Sequence, residues 1–156
     1  MSLVLVAKAS PAQAAGQAVW IAGIEPWRGL GYRAPALRAY LRRSAASGDV
    51  FAARQRAGGP VLGIVVVQPG VLLGDFVSLL AVRPSAAGQG LGGTLMAYVE
   101  SRTFKTRRWL FVSADAANAI ALGFYRKLGF RRVGKLPDLV QSGRTEILLR
   151  KGRAPS

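Results

Sequence analysis

The sequence contains no cysteine and no histidine among its 156 residues. Without cysteine the chain can form no disulfide, and it has neither a thiolate metal ligand nor a thiolate nucleophile. Without histidine it lacks the usual general base and the usual zinc ligand, and a Ser-His-Asp triad is excluded. We therefore expect no metal cofactor, and we expect any general base to be a carboxylate, often acting through water.

Long apolar runs are also missing, because no stretch approaches the length of a membrane span. The first apolar run begins at Leu3 with no basic residue before it, so it is not typical of a signal peptide. These two features predict a cytoplasmic protein that has no membrane partner.

Acidic residues are scarce, with 7 of them against 22 lysines and arginines, which gives a net charge of +15. Such a surplus can indicate a polyanionic partner, which could be nucleic acid, an acidic membrane surface or a phosphorylated cofactor. A solvated basic surface is the alternative. The basic residues are scattered, and few aromatic residues lie between them as stacking platforms for bases. We therefore do not expect nucleic acid to be the primary partner.

Apolar periodicity and turn residues predict six or seven strands and about four helices in a single domain, residues 1–151, followed by a frayed tail, residues 152–156. The predicted strands are residues 2–8, 50–56, 61–68, 71–82, 109–113, 130–133 and 145–150. The predicted helices are residues 11–22, 35–46, 91–102 and 119–128. A basic connection is expected at residues 103–108, and turns are expected at residues 57–60 and at Pro69–Gly70.

A glycine-rich stretch, residues 88–93, joins the predicted strand at residues 71–82 to a predicted helix. The first N–H groups of a helix have no acceptor within the helix, and the helix dipole adds partial positive charge there. Glycines let a ligand approach the main chain closely. This stretch therefore predicts an anion site, with phosphate as the expected anion.

The same glycines also match the Gly-x-Gly-x-x-Gly pattern of a dinucleotide-binding Rossmann unit, and Asp115 follows at a suitable distance. Two features argue against that interpretation. A five-residue loop that contains Pro84 separates the strand from the glycines, whereas the Rossmann turn is tight. The pattern also lies in the middle of the chain, which leaves too little sequence for a doubly wound sheet.

A second informative stretch runs from Asn118 to Phe130. Asn118 is placed to cap the N-terminus of a helix, and Gly129 follows the basic last turn as a helix stop. Apolar residues recur at positions i, i+4 and i+8, which predicts one buried stripe on this helix. The stripe consists of Ile120, Phe124 and Leu128.

Together these two stretches resemble the GNAT superfamily, the acyl-CoA-dependent N-acyltransferases. The first stretch, Val82-x-Pro84-x-x-Ala87-Gly88-Gln89-Gly90-Leu91-Gly92-Gly93-x-Leu95, is similar to the family's pyrophosphate loop. The second, Asn118-x-x-Ala121-x-x-Phe124-Tyr125-x-Lys127-x-Gly129-Phe130, is similar to the family's helix beside the thioester. The resemblance implies an α/β (α+β) fold whose central sheet is mixed and mostly antiparallel.

The resemblance also implies acetyl-CoA as the cosubstrate and a set of residues that bind it. These residues are Leu80, Ala81, Val82, Ala87, Gly88, Gln89, Gly90, Leu91, Gly92, Gly93, Asn118 and Tyr125. One departure stands out, because the family loop usually has arginine or glutamine at the position of Ala87. Most of the loop's donors are main-chain N–H groups, so the change removes one side-chain donor and leaves the others.

The implied reaction is the transfer of an acetyl group to a primary amine of a small molecule or of a protein N-terminus by direct attack. A main-chain N–H near Leu80 would polarise the thioester carbonyl. Tyr125 is the candidate general acid for the leaving thiolate, because its phenol has a reference pKa of about 10. The alternative interpretation is that Tyr125 is a core aromatic residue and that Asn118 is only a helix cap.

The candidates for the general base are the seven acids, and the alternative is that bulk water deprotonates a weakly basic amine. Glu25 ranks first, because it lies in the loop at residues 23–33, which is expected to line the acceptor side. Asp75 ranks second because it precedes the thioester-binding segment on the same strand. Asp138 and Glu146 lie on the last hairpin and are open alternatives.

The sequence leaves the acceptor amine open, and aromatic walls are expected from Trp27, Tyr32 and Tyr40. It also leaves open a homodimer and two functions of other classes. One is a sensor that binds acyl-CoA without turnover, and the other is a basic nucleic-acid-binding domain.

Overall fold

The computed structural model of the protein describes residues 3–155. Its strands are β1 (Leu5–Lys8), β2 (Val50–Arg54), β3 (Gly63–Val71), β4 (Gly74–Val82), β5 (Trp109–Asp115), β6 (Arg131–Pro137) and β7 (Thr145–Gly152). Its helices are α1 (Pro11–Ala15), α2 (Ala18–Ala22), α3 (Ala34–Ala46), α4 (Leu91–Thr106) and α5 (Ala119–Lys127), and Pro84–Ala86 forms a single 3-10 turn. Three residues lie outside the described part of the chain. They are residues 1 and 2 of the predicted domain and residue 156 of the predicted tail. Residue 2 is also the start of the predicted first strand.

All seven strands join one mixed sheet, in the order β1-β2-β3-β4-β5-β7-β6. The pairs β1–β2, β2–β3, β5–β7 and β6–β7 are antiparallel, whereas β4–β5 is parallel. The predicted mixed, mostly antiparallel sheet is therefore confirmed. The predicted helix at residues 11–22 is divided into α1 and α2 at Gly16 and Gln17, because glycine weakens a helix interior.

The chain packs as two compact units, and β4 contributes residues to both. The first unit takes in the chain up to Val67 together with Leu79–Val99. Its core is built from the inner faces of α1, α2 and α3 and from the buried residues of β2, β3 and the second half of β4. Ile21, Leu41 and Ile64 are fully buried there.

The second unit takes in Gln68–Ser78 and the chain from Glu100 onward. Alternate residues of β7 are buried, which is the pattern of a strand with one covered face, whereas Leu110, Phe111 and Val112 of β5 are buried in succession. Leu110, Val112 and Leu149 are almost completely buried in this core, and Leu122 of α5 is also buried.

Two boundary predictions are wrong. The predicted connection at residues 103–108 begins inside α4, because Thr103 is buried and its hydroxyl pairs with Asp75. The predicted turn at Pro69–Gly70 belongs to β3, and the hairpin turns instead at Leu72 and Leu73, whose φ angles are 48° and 63°. Two successive positive φ angles match the twist of a hairpin with a two-residue turn. Leucine seldom adopts positive φ angles, so the pairing of β3 with β4 imposes this conformation on Leu72 and Leu73.

The predicted buried stripe of α5 is also wrong. Ile120 is 88% exposed, and Phe124 and Leu128 are only half-buried. The helix instead buries Leu122 and Tyr125, which are three positions apart. Because apolar residues occur on both sides of α5, its periodicity alone could not select the side that faces the sheet.

Candidate functional site

Arg83, directly after β4, is held in place by several contacts just before the glycine loop at residues 88–93. The Arg83 side chain donates a hydrogen bond from Nε to the carbonyl of Val61 over 2.8 Å, and its guanidinium lies 5.1 Å from the centre of the Trp20 ring. The Arg83 N–H donates to the carbonyl of Leu62 over 2.8 Å. These contacts fix the point at which the chain leaves β4. Pro84 then opens the 3-10 turn, and exposed Ala87 follows in an extended conformation.

Residues 88–93 present a run of main-chain N–H groups without acceptors. Within the part of the chain that the structure describes, none of these six N–H groups makes a backbone or side-chain hydrogen bond, whereas the next N–H, of Thr94, donates to Gly90 over 3.0 Å. Gly88 and Gly90 have φ angles of 79° and 77°, which favour glycine. The run ends in the first turn of α4, so the helix dipole adds to its attraction for an anion.

The space beside this loop is open. A side chain built at Gly88, Gly90 or Gly93 would meet nothing within 4 Å. Gln89 is exposed, and its side chain receives a hydrogen bond from Gln55 over 3.2 Å. An anion can therefore approach the free N–H groups without displacing protein atoms.

Leu80, Ala81 and Val82 continue β4 beyond its pairing with β5. That pairing covers only three residues of each strand and ends at Phe76 opposite Phe111. Ala81 is buried, whereas Leu80 and Val82 are half-buried. The main chain of these three residues is consequently not engaged by β5.

Tyr125 is 8% exposed and packs edge-on against the rings of Phe124 and Phe130. Burial raises the pKa of Tyr125 to about 12. Its hydroxyl makes no hydrogen bond with residues 3–155, yet it is not sealed from solvent. A protonated, unpaired phenol at the edge of a core is available to donate to a ligand atom.

Asn118 caps α5 as predicted, and its side-chain oxygen accepts the N–H of Ala121 over 3.1 Å. The cap uses the oxygen of the amide, so its NH₂ group is the part that remains for a ligand.

Asp75 serves the packing of the second unit. One of its oxygens accepts the Thr103 hydroxyl over 2.7 Å, and the other lies 3.5 Å from Nε of Arg107 and 3.4 Å from the N–H of Gly70. The residue is 9% exposed. Both oxygens of Asp75 already have donors, so its contacts stabilise the packing of the second unit. To accept a proton from an amine, Asp75 would have to lose one of these donors.

Glu25 lies on the first unit and stabilises its own loop. Its carboxylate pairs with Arg28 over 2.9 Å and accepts the N–H of Gly29 over 3.0 Å, and its side chain is 58% exposed. Of the three aromatic residues expected to line the acceptor side, Trp27 and Tyr40 pack against the core of the first unit, whereas Tyr32 is exposed.

The acid with the most distinctive surroundings is Glu146 on β7, which sequence reasoning ranked behind Glu25 and Asp75. Its Oε1 accepts the Ser113 hydroxyl over 3.1 Å, across from β5. Burial raises the pKa of Glu146, the Ser113 hydrogen bond lowers it, the negative charge of Asp115 raises it, and Arg144 lowers it. Asp115 itself pairs with Arg144 over 2.9 Å.

Glu146 and α5 lie on opposite faces of the sheet in the second unit. Glu146 is directly opposite Asp115 in the register, so both share a face with Ser113. Leu149 points to the other face, and it lines a cavity together with Leu122 of α5. Two features of the sequence could have given Glu146 a higher rank. They are the alternation of apolar and polar residues along β7 and the presence of Ser113 on the neighbouring strand.

The remaining expectations concern membranes and metals. None of the helices described here is long and apolar enough to cross a membrane. Among residues 3–155 no group of three acidic side chains is arranged to hold a metal ion.

Comparison with known proteins identifies relatives of this fold. A family model described as "Acetyltransferase (GNAT) domain" matches residues 46–132, which is more than half of the chain. The structure resembles a GNAT-family acetyltransferase of Bacillus cereus with a TM-score of 0.79 and 19% identity, covering 98% of this chain and 99% of that one.

Two further structures share the fold. The ribosomal-protein-S18-alanine N-acetyltransferase of Escherichia coli has a TM-score of 0.72 and 18% identity, with 99% of this chain and 96% of that chain covered. A Salmonella typhimurium protein that was solved with its cofactor acetyl-CoA has a TM-score of 0.73 and 14% identity, with the same coverage of 99% and 96%.

Proposed function

Because the chain belongs to the GNAT acetyltransferase family, we propose that it transfers the acetyl group of acetyl-CoA to a primary amine by direct attack. The acceptor in this proposal is a small molecule or a protein N-terminus. When bound, acetyl-CoA supplies the activated acetyl thioester. The protein's own residues bind the cosubstrate, hold the reacting carbonyl and move the proton.

The observation that carries this proposal is the run of free N–H groups at residues 88–93. A pyrophosphate offers oxygen acceptors along its length, and a helix N-terminus with unpaired N–H groups is a suitable site for it. The loop lacks a side-chain donor at Ala87, so the proposed binding depends on the main chain. Leu80, Ala81 and Val82 are proposed to hydrogen-bond the pantetheine arm through main-chain groups that β5 does not use.

Tyr125 is the proposed general acid. Because its pKa is raised to about 12, it keeps its proton across the neutral range and can donate a hydrogen bond to the leaving thiolate. Its hydroxyl has no partner among residues 3–155, so this donation breaks no existing hydrogen bond. The NH₂ group of Asn118, at the start of the same helix, is a proposed second contact to the cosubstrate.

Glu146 is the proposed general base in place of Glu25 and Asp75. Its raised pKa makes it a better proton acceptor than an ordinary glutamate, because proton transfer is most effective when the pKa approaches the working pH. Glu146 and the helix that carries Tyr125 lie on opposite faces of the sheet.

The class of acceptor follows from charge and similarity. A net charge of +15 repels polycationic amines, so the proposal favours acceptors with one amine or with a neighbouring acidic group. The similar E. coli enzyme is a ribosomal-protein-S18-alanine N-acetyltransferase, which supports a protein amine as the acceptor.

Calorimetric titration with acetyl-CoA, next to NADH as a control, tests the cosubstrate. We expect saturable acetyl-CoA binding and no NADH binding. A Gly93→Val variant places a side chain in the open space beside the free N–H groups. It should lower acetyl-CoA affinity by about tenfold or more, since a lost contact worth about 1.4 kcal/mol has this effect.

Gly123→Val is the matched control, because Gly123 also lies in a helix with open space around its Cβ position. It should leave acetyl-CoA affinity unchanged. If acetyl-CoA does not bind, or if both variants lose the same affinity, the glycine loop is not the cosubstrate site.

A further inference from the structure

The second unit contains a cavity of about 510 Å³ whose lining includes none of the residues proposed above for acetyl transfer. This volume is within the range of small-molecule sites. The lining residues come from the stretch before α5, from one stripe of α5, from the start of β6 and from β7. They are Ala116, Ala119, Leu122, Gly123, Arg126, Phe130, Arg131, Arg132 and Leu149, and we call this cavity the arginine pocket.

The base of the arginine pocket is apolar. Leu122, Phe130 and Leu149 are 8%, 2% and 1% exposed, so they form a fixed floor. Small residues leave the wall of the pocket open, since a Cβ atom added at Gly123 would meet nothing within 4 Å. The pocket can therefore receive an apolar body without rearrangement of the core.

The rim of the pocket is cationic. Arg126, Arg131 and Arg132 are all exposed, and none of their side chains makes a hydrogen bond or an ion pair with the residues that the structure describes. No acidic residue lines the pocket. Three guanidinium groups without a counter-ion create a positive potential over an apolar floor.

Three other cations of the same unit have carboxylate partners. Arg107 pairs with Asp75, Arg144 pairs with Asp115, and Lys151 pairs with Glu100. The remaining acids of this unit, Asp138 and Glu146, accept hydrogen bonds from Gly143 and Ser113. All five acids of this unit therefore have partners away from the pocket lining, and none of them is a counter-ion for the arginine pocket.

We propose that the arginine pocket binds a small amphipathic anion, in which a carboxylate or phosphate group meets the arginine rim and an apolar chain lies on the floor. A guanidinium presents paired N–H donors that match the oxygens of either group. The apolar chain contributes by removing its surface from water against Leu122, Phe130 and Leu149. The lining shares no residue with the glycine loop, so the proposal does not depend on the proposed acetyl transfer.

Binding is tested with octanoate and octyl phosphate, titrated into isotope-labelled protein that is already saturated with CoA and followed by amide chemical shifts. We expect saturable shifts that centre on residues 116–132, from at least one of the two probes. The probe that binds more tightly identifies the anionic group. Octanamide, which has the same chain without the charge, should bind at least about tenfold more weakly, as expected for the loss of a charge-assisted contact.

Two kinds of variant separate a site from general attraction. Arg131→Gln with Arg132→Gln should weaken binding by about tenfold or more, whereas Arg38→Gln with Arg42→Gln makes the same charge change on the exposed face of α3 and should not. Gly123→Leu keeps every arginine and fills the open space, so it should also abolish the saturable shifts.

The proposal is overturned if neither probe gives saturable shifts, if both double variants weaken binding equally, or if Gly123→Leu binds as well as the wild type. It is also overturned if the shifts appear only without CoA, because the probes would then occupy the cosubstrate site.

Discussion

The Ser113 hydroxyl donates a hydrogen bond to Glu146 Oε1 over 3.1 Å and joins the neighbouring strands β5 and β7. The pair lies on the face of the sheet opposite Leu149, together with Asp115. Burial and the Asp115 carboxylate raise the pKa of Glu146, whereas Ser113 and Arg144 oppose this rise. The pKa of Glu146 is therefore set by its burial and by its three polar neighbours, Ser113, Asp115 and Arg144.

Replacing Glu146 with glutamine should remove the proposed general base. We expect kcat/KM to fall by about 10²-fold or more, the usual contribution of such a group, while affinity for acetyl-CoA stays unchanged. Steady-state kinetics at saturating acetyl-CoA measures this. Glu25→Gln is the matched control and should keep most of the activity, because Glu25 serves its own loop. Loss of activity in the control alone would restore Glu25 as the base.

Replacing Ser113 with alanine should shift the pH dependence of the reaction. The Ser113 hydrogen bond stabilises the ionised form of Glu146, so its loss raises the pKa of Glu146 further. The reaction needs this carboxylate ionised, and kcat/KM of the wild type therefore rises as the pH passes through that pKa. In the variant the same rise should occur at higher pH. An unchanged profile, or a shift to lower pH, would show that Glu146 does not control the acid limb.

Tyr125 should make the protein sensitive to alkali. Its pKa is about 12 in the folded protein and about 10 in the unfolded chain, so the folded state holds the proton more tightly. The resulting stabilisation is complete below pH 10 and is lost as the pH rises to 12. The loss should be of the order of 2–3 kcal/mol.

Denaturant unfolding at pH 9 and at pH 11.5 measures this loss. The Tyr125→Phe variant has no phenol to ionise, so its free energy of unfolding should decline less than that of the wild type over this interval. Equal declines in the two proteins would mean that the phenol is not buried as the structure has it.

The hairpin between β3 and β4 should be easy to stabilise. Leu72 and Leu73 both have positive φ angles and are 70% and 79% exposed. Each leucine in this conformation costs about 1 kcal/mol relative to residues that tolerate it. Leu72→Asn with Leu73→Gly gives the preferred sequence for a two-residue turn, so it should raise the free energy of unfolding by about 1–2 kcal/mol.

The reverse order, Leu72→Gly with Leu73→Asn, is a control with the same composition and should stabilise the protein less. No gain from either variant would mean that the turn is not strained.

The correct predictions depend mostly on interactions between residues that are close together in the sequence. The glycines at residues 88–93 and the cap at Asn118 act within a few residues, so their geometry follows from their own chemistry. The alternation of apolar residues and the turn signals placed the strands, and the family resemblance predicted the mixed sheet that the structure contains.

Contacts between residues that are distant along the chain could not be predicted. The ranking of Asp75 as a candidate base took no account of Thr103, 28 positions away, whose hydroxyl pairs with it. Glu146 depends on Ser113, which is 33 positions away. The buried face of α5 was misjudged because Leu122 and Ile120 are equally apolar, and only packing against the sheet distinguishes them.

Acetyl transfer to an amine is tested by looking for the acetylated product. The protein is incubated with acetyl-CoA and a panel of small primary amines and peptides with free N-termini, and acetylated products are measured by mass spectrometry. We expect an acetylated amine that forms only with protein. Tyr125→Phe should lower kcat by about tenfold or more while KM for acetyl-CoA changes little. Binding of acetyl-CoA without any acetylated product would contradict the account and would make the protein an acyl-CoA sensor.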